Sequence, residues 1–363
     1  MSNEPDCWEE FNRKVALWQE EDDLDRLQMA DLYYEAFEFR ETNPELKYEM
    51  LTRGRNEAQR LNEPLFVLFF DDERLSTLTS DLHDFARAMP LAMELMVRFS
   101  KPAAAVHPRR VSVLTNVLYT YLQVDPIGYR DELERGFAYL DSQISQEPVS
   151  NRFVLNYRRI EYLAETERWN DAYELAHRSL DLSDRSNNRN ISSWHGAWST
   201  YILCRICYAR GRLDEVADHA EDMATRSEKR DNFNRTLSSA WMWRAVTQRA
   251  WGDEQSASRS FHRGLRILKH LDSRDEICAR PMAIYYELGN DFGAAVGVLE
   301  RELAAVAPKG MLHRCCQLEI ERCRLLSRAG SITADDFDRA RQAAGKMRVP
   351  VWYLDQLAKI KAS

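Results

Sequence analysis

Apolar and polar residues follow the period of an α-helix along nearly the whole chain, and the two-residue alternation of a β-strand is absent from the sequence. Glycine and proline fall mainly between these periodic stretches, where helices are expected to end. Small or apolar residues also recur in matching helical contexts, roughly every 42 residues. The recurring positions are Ala88, Leu133, Ala172, Val216, Ala257, Ala295 and Ala340. A helical pattern with such a period predicts stacked two-helix hairpins that share one extended core.

The clearest hairpins are predicted between residues 151 and 305. Each pairs two helical stretches across a turn of a few residues, so the two helices must pack antiparallel. Three of the turns contain a glycine, at Gly211, Gly252 and Gly289, which allows the backbone conformation that ends a helix. The predicted pairs are 153–166 with 169–182, 197–210 with 213–227, 237–251 with 254–271, and 277–288 with 292–305.

The regions on either side of this array keep the helical pattern alone. Three divergent hairpins are predicted in residues 1–150, and residues 306–363 are predicted to form a C-terminal hairpin followed by a capping helix near 350–361. Pro90 and Pro281 fall inside apparent helices, where each should kink its helix unless the helix has been misassigned. The divergent hairpins are placed near 24–62, 65–100 and 109–144. The chain is therefore predicted to be all-α, as a right-handed α-solenoid of about seven antiparallel helical hairpins.

The third hairpin of the array resembles a tetratricopeptide repeat (TPR). Trp241 and Ala245 stand at the bulky and small positions of its first helix, and Gly252 stands at its turn. Ala257 and Phe261 follow at the spacing of the small and aromatic residues of the second helix. Small residues let neighbouring helices approach, and one aromatic ring fills the remaining gap. Because the period exceeds that of the common TPR, the units are similar to the long-helix repeats of kinesin light chains and of bacterial peptide-sensing regulators.

The resemblance implies that the first helix of each hairpin lines an exposed concave surface. Aromatic rings beside arginines on such a surface suit an extended or helical segment that carries carboxylates. A second interpretation stays open, in which the aromatic residues pack between hairpins and the arginines are simply solvated. The candidate residues for binding a peptide or partner are Tyr157, Trp198, Tyr201, Arg205, Tyr208, Met242, Arg249 and Arg280.

Composition and charge narrow the choice of partner. The chain has 363 residues, a formal net charge of −8 and seven cysteines. An acidic chain is a poor candidate for binding nucleic acid, because neutralising phosphates requires a basic face. The longest apolar run, residues 65–70, is too short to span a bilayer, and the acidic N-terminus shows no secretory signal. The odd number of cysteines, set mostly in helical patterns, favours reduced thiols and a cytoplasmic protein without membrane contacts.

Two short motifs are candidates for metal binding. Cys204 and Cys207 form a Cys-x-x-Cys pair, which is half of a structural zinc site. The other ligands would have to come from distant positions, so core packing is the favoured interpretation and no metal is expected. His83 and Asp84 resemble the metal-binding pair of helical HD phosphohydrolases, but His107 is the only other histidine nearby. The distant residues that could complete a zinc site with Cys204 and Cys207 are Cys315, Cys316, Cys323 and His313.

The leading functional hypothesis is a non-enzymatic scaffold or adaptor without a cofactor. No zinc-protease, serine-hydrolase or phosphate-loop motif is present in the sequence, so we expect no enzymatic activity. The expected partner is a protein or a peptide segment, including an acidic one, bound on the concave face. The alternative hypothesis is a TPR regulator that senses a peptide or small ligand.

Overall fold

The computed structural model describes residues 9–101, 109–143, 149–185, 189–228, 234–269 and 276–361. Within these ranges the chain forms eighteen α-helices and no β-strand. The predicted all-α class is therefore confirmed. Among the helices described, none combines the length and apolar character that crossing a lipid bilayer requires. The chain divides into two compact units. Unit 1 is Met1–Val124, Arg130–Asn151 and Lys309–Met311, and unit 2 is Asp125–Tyr129, Arg152–Pro308 and Leu312–Ser363.

Unit 1 contains the first seven helices and an aromatic core. Phe11 contacts Phe66 with ring centroids 4.5 Å apart, and Tyr33 contacts Phe70 at 5.5 Å. Gly54 is required where the third helix meets the fourth, because a Cβ atom there would lie 2.2 Å from the Phe70 ring. The helices are α1 (Glu9–Glu20), α2 (Leu24–Glu38), α3 (Pro44–Arg60), α4 (Pro64–Ser76), α5 (Phe85–Phe99), α6 (Arg110–Val124) and α7 (Arg130–Gln143).

Unit 2 holds the remaining helices, in an order that matches the predicted hairpins closely. Helices that follow one another in the chain pack together from α9 to α13 and again from α14 to α18. In addition, α12 packs against both α10 and α14, so the first helices of successive hairpins touch. The helices are α8 (Val149–Glu165), α9 (Trp169–Asp184), α10 (Arg189–Ala209), α11 (Leu213–Glu228), α12 (Asn234–Ala250), α13 (Glu254–Lys269), α14 (Glu276–Leu288), α15 (Phe292–Val306), α16 (Leu312–Arg328), α17 (Ala334–Ala344) and α18 (Pro350–Lys361).

The main difference from the predicted boundaries is at the start of α10. The helix begins at Arg189 and not at 197, although Gly196 suggests a break. The glycine instead makes room for a neighbouring side chain, because a Cβ atom there would lie 2.5 Å from a guanidinium nitrogen of Arg226. A glycine chosen for close approach therefore has the same sequence signature as one that ends a helix.

The two internal prolines do not end their helices. Pro90 lies within α5 and Pro281 lies within α14. A proline inside a helix leaves the carbonyl four residues earlier without its helical donor. In α14 that carbonyl belongs to Ile277, and it accepts a hydrogen bond of 3.1 Å from the buried Ser239 hydroxyl of α12. The neighbouring helix thus supplies the missing donor and allows α14 to continue.

Candidate functional site

Three arginines from three helices of unit 2 form the candidate site, and we refer to them as the arginine cluster. Arg205 lies on α10, Arg280 on α14 and Arg314 on α16. The pKa of Arg280 is lowered from its usual value. Burial is the largest cause, and the positive charges of Arg205 and Arg314 lower the pKa further. Three like charges in such proximity are unfavourable unless each meets an anion.

Arg205 meets its anion on α8. Its guanidinium lies 2.6 Å from the Glu165 carboxylate, and the two side chains are only 9% and 11% exposed. Burial opposes the ionisation of Glu165, but the charge of Arg205 and a hydrogen bond from His313 outweigh it. The pKa of Glu165 therefore falls well below its usual value. Glu165 is an ionised carboxylate held between α10 and α16.

A chain of hydrogen bonds continues from Glu165 into the C-terminal helices. The second carboxylate oxygen lies 3.1 Å from His313 Nε2, and Gln317 donates to the same oxygen. His313 Nδ1 lies 2.8 Å from the hydroxyl of the fully buried Tyr353, which in turn donates to Asp125. These contacts join parts of unit 2 that are far apart in the chain, and each buried polar group in them has a partner.

Arg314 also has an anion of its own. Its guanidinium lies 2.6 Å from the Glu302 carboxylate of α15. Burial lowers the pKa of Arg314, but the Glu302 charge reverses the effect and leaves that pKa raised. Arg205 and Arg314 are therefore both neutralised within the protein.

Arg280 is different from both neighbours. Its side chain makes no hydrogen bond and no ion pair with any residue that the structure describes. The side chain is half-buried, so part of it stays open to solvent while protein atoms surround the rest. The negative charges of Glu165 and Glu321 raise the pKa of Arg280. This effect is smaller than the combined lowering by burial, Arg205 and Arg314. Because an arginine stays protonated in a protein, Arg280 is a permanent cation that no carboxylate of the described residues contacts directly.

Aromatic side chains from α8 and α10 accompany the cluster. Tyr157 contacts Trp198 edge-on at 5.4 Å, and Trp198 contacts Tyr201 at 5.9 Å. Arg205 lies over the Tyr201 ring, 5.9 Å from its centroid. The indole nitrogen of Trp198 is buried and has no hydrogen-bond acceptor in the described part of the chain. Three donors on this face have no acceptor among the described residues: the Trp198 indole N–H, the Arg205 Nε–H and the Arg280 guanidinium.

The structure places six of the eight predicted residues in or beside this arrangement, of which Tyr201 is buried rather than exposed. Tyr208 is half-buried, and its pKa is raised overall. Burial and the charge of Glu287 raise the pKa, although the charges of Arg324 and Arg280 oppose the rise. It packs against Trp243 at 5.6 Å. The six are Tyr157, Trp198, Tyr201, Arg205, Tyr208 and Arg280.

The placement of Met242 on an exposed lining is wrong. Its side chain is fully buried, and it lies against Gly264 of α13, where a Cβ atom would be 3.0 Å from Met242 Cγ. The face of α12 that carries Met242 is therefore turned into the core, because α12 is covered by helices on several sides. Periodicity identifies the faces of a helix, but it does not say how many of them are covered.

Arg249 is not part of the arginine cluster. It donates to the Tyr285 carbonyl at 2.9 Å, lies 4.2 Å from the centroid of the Tyr285 ring, and pairs with Glu254 at 3.0 Å. These contacts fix the end of α12 against α13 and α14. Its guanidinium is thus already engaged within the fold.

Glu165, His313 and Arg314 belong to this site but are not among the residues predicted from the sequence. Glu165 has a usable signal, since it lies one helical turn after Glu161, which the pattern puts on the same face of α8. His313 and Arg314 have none, because the approach of α16 to α8 joins positions 148 residues apart. Only the tertiary structure could bring them to the arginine cluster.

The other sequence candidates have structural roles. Cys204 is fully buried and its thiol donates to the Val216 carbonyl at 3.8 Å, which agrees with core packing. His313 is occupied by Glu165 and Tyr353. The Asp84 carboxylate caps α5 by accepting from the Arg87 backbone N–H at 3.0 Å. His107 lies outside the described residues. No protein-family model matches this chain, and no curated protein matches it.

Proposed function

We propose that this protein is an interaction scaffold that binds a carboxylate-bearing segment of a peptide or partner protein at the arginine cluster. The observation that carries the proposal is Arg280, a half-buried cation that forms no ion pair with any described residue. Removing a charge from water without a partner is unfavourable, so such a group is retained at a cost in stability. Binding an external anion would remove that cost.

The chemistry of the surrounding side chains favours a carboxylate. A guanidinium presents parallel N–H donors that match the two oxygens of a carboxylate. The free indole N–H of Trp198 is one further donor, and Tyr157 beside it offers an aromatic ring. Aromatic anchors next to an arginine are typical of the residues that dominate protein–protein binding energy.

The proposal includes the repeat architecture. We infer a right-handed, TPR-like solenoid in which the first helices of the hairpins carry the binding residues. The packing of α12 against both α10 and α14 supports the inference, because successive hairpins in such an array touch through their first helices. The described cysteines form no disulfide with one another, which suits a reducing cytoplasm.

The test compares Arg280→Gln with a matched control, Arg301→Gln, an exposed arginine of α15. A partner is first identified by affinity purification and mass spectrometry with the full-length protein, and its affinity is then measured by titration. We expect Arg280→Gln to weaken binding by about 2 kcal/mol, or about 30-fold. The Arg301→Gln affinity should equal that of the wild type. Equal affinities for all three proteins would contradict the proposal.

A second candidate function is a ligand-sensing regulator. It is favoured by the hydrogen-bonded chain from Arg205 through Glu165 and His313 to Tyr353, which links α8, α10, α16 and α18. An anion bound at Arg280 would compete with Glu165 for Arg205 and could loosen that chain. The distinguishing measurement is small-angle X-ray scattering with and without the ligand. A passive scaffold predicts the same profile, and a sensor predicts a changed one.

A further inference from the structure

Three metal-ligating side chains of unit 2 lie together away from the residues of the arginine cluster. Cys207 Sγ, a carboxylate oxygen of Glu215 and a ring nitrogen of His219 all lie within 4.8 Å of one another. Cys207 is a fully buried residue of α10. Glu215 and His219 are four residues apart on α11, so they project from the same face of that helix. The three groups thus converge from two adjacent helices.

A fourth potential ligand comes from α9, the helix that precedes α10 in the chain. His177 of α9 has its ring centroid 5.5 Å from that of His219. Its Nε2 atom is buried and has no hydrogen-bond partner within the described ranges of the chain. A buried nitrogen without a partner is costly, so a bond from His177 Nε2 to a metal ion would be stabilising. Two imidazoles bound to one tetrahedral Zn²⁺, at about 2.0–2.1 Å per nitrogen, have ring centroids roughly 5 Å apart.

The groups around these residues would support a bound ion. Tyr173 donates to Glu215 at 2.8 Å, and Arg212 donates to the same carboxylate at 3.1 Å. The Tyr173 ring also meets the His177 ring edge-on, with centroids 4.4 Å apart. Outer contacts of this kind orient metal ligands and tune their basicity.

We propose that Cys207, Glu215 and His219 hold Zn²⁺ or a similar transition-metal ion, and that the neighbouring His177 ring shifts toward the ion to close the site. One thiolate, two imidazoles and one carboxylate are the ligand types that zinc takes in proteins, and four of them complete a tetrahedral structural site. The Cys207 thiol donates to Glu215 at 3.5 Å in the structure. Metal binding would release this thiol proton to solvent and replace the S–H···O contact with two metal–ligand bonds. The ion would clip α9, α10 and α11 together.

The site differs from the zinc site that the Cys-x-x-Cys motif suggested. Only Cys207 of that pair takes part, since the Cys204 thiol donates to the Val216 carbonyl. The remaining ligands come from positions 8 and 12 residues after Cys207 and from the preceding hairpin helix, and not from the distant cysteines. The proposal is also independent of the proposed binding function, because it shares no residue with the arginine cluster.

The experiment uses the full-length protein, stripped of metal with a chelator and titrated with Co²⁺ as a spectroscopic probe. We expect one equivalent to produce the charge-transfer band of a cobalt thiolate and the visible bands of a tetrahedral ion, and Zn²⁺ to displace it. Cys207→Ser should abolish the thiolate band and weaken binding by at least about 100-fold. The control Cys315→Ser, a half-buried thiol on α16, should keep both. A thiolate band that survives in Cys207→Ser, or no band in the wild type, would overturn the proposal.

A second set of variants guards against a folding defect in Cys207→Ser. Glu215, His219 and His177 are all half-buried, so Gln substitutions there can be checked for folding without metal. We expect the apo variants His219→Gln and His177→Gln to melt near the apo wild type, whereas the rise in melting temperature that Zn²⁺ gives the wild type should be lost. An unchanged zinc-dependent rise in both variants would contradict the proposal.

Discussion

Both units bury a group of charges, and the two groups differ in how completely their members are paired. In unit 1, α4 carries three buried acids, Asp71, Asp72 and Glu73. Asp71 pairs with Arg98 at 2.7 Å, and Asp72 pairs with Arg109 at 2.7 Å. Neither Asp72 oxygen has a hydrogen-bond partner that meets normal geometry within the described structure. In unit 2, Glu165 pairs with Arg205 and Glu302 pairs with Arg314 through one oxygen, whereas Arg280 forms no ion pair with any described residue.

The difference matters because Asp72 can lose its charge inside the protein, whereas Arg280 cannot. Burial raises the pKa of Asp72 to about 7, although Arg109 opposes the rise, so the carboxyl can take up a proton near neutral pH. Arg280 cannot become neutral in this way, because a guanidinium does not lose its proton in a protein. Asp72 can therefore become neutral by taking up a proton, whereas Arg280 keeps its charge. This contrast is why we place the binding site in unit 2.

The largest effect is expected for Glu165→Gln. The change leaves Arg205 buried without its counter-ion, which should lower the free energy of unfolding by about 3–5 kcal/mol. Urea denaturation measures it, with Glu174→Gln, an exposed residue of α9, as the control that should stay within about 0.5 kcal/mol of the wild type. A loss no larger than the control's would show that the Glu165 contacts do not hold this cluster together.

The same variant tests a pH dependence. Because the folded pKa of Glu165 is depressed, its stabilisation is complete above its unfolded value of 4.5 and is lost as the pH falls toward the folded value. The wild type should therefore lose its advantage over Glu165→Gln as the pH is lowered below 4.5. A difference in unfolding free energy that stays constant in acid would contradict the assignment.

In unit 1, Asp72→Asn should show the opposite dependence. A raised pKa means that the native protein binds this proton more tightly, so wild-type stability from Asp72 falls as the pH rises from 3.8 to about 7. The asparagine variant lacks this loss. Relative to the wild type it should gain up to about 1.4 kcal/mol per pH unit in that window. Denaturation curves recorded across the window check this, and parallel pH profiles for the two proteins would contradict it.

An effect of about 1–2 kcal/mol is expected for Tyr353→Phe. The change removes one hydroxyl between His313 and Asp125, so that two buried polar groups each lose a partner. Thermal or chemical denaturation measures the loss. The exposed residue Tyr34 of α2 is a suitable control, since Tyr34→Phe removes only a surface contact with Asn12. Equal effects of the two changes would show that the hydrogen-bonded chain contributes little.

The smallest effect has an unusual sign. Arg280→Met keeps much of the side-chain volume and removes the unpaired charge, so it should raise the free energy of unfolding by roughly 1 kcal/mol. Arg205→Met, in the same cluster, should destabilise the protein because it strands Glu165. A loss of stability in Arg280→Met would indicate that this arginine has an internal partner after all.

Most of the helices could be predicted from the sequence, because helical periodicity and turn glycines are local signals. The turns at Gly211 and Gly252 are examples, and both glycines have the positive φ that a helix end requires. Gly196 shows the limit, since its role depends on Arg226 of another helix. The candidate site was predicted only in part. Arg205 and Arg280 could be found on one face of their helices, but nothing local indicates which arginine is paired with Glu165 or Glu302.

The most direct test of the central claim, that Arg280 is an accessible and unpaired cation, is its chemical reactivity. Phenylglyoxal modifies guanidinium groups that solvent reaches and that no carboxylate holds, so the partial exposure of Arg280 and the absence of an ion pair both favour the reaction. The native full-length protein is treated briefly, and modification of each arginine is followed by peptide mapping and mass spectrometry. We predict that Arg280 is modified well before Arg205 and Arg314. Protection of Arg280 equal to that of its two neighbours would contradict the account.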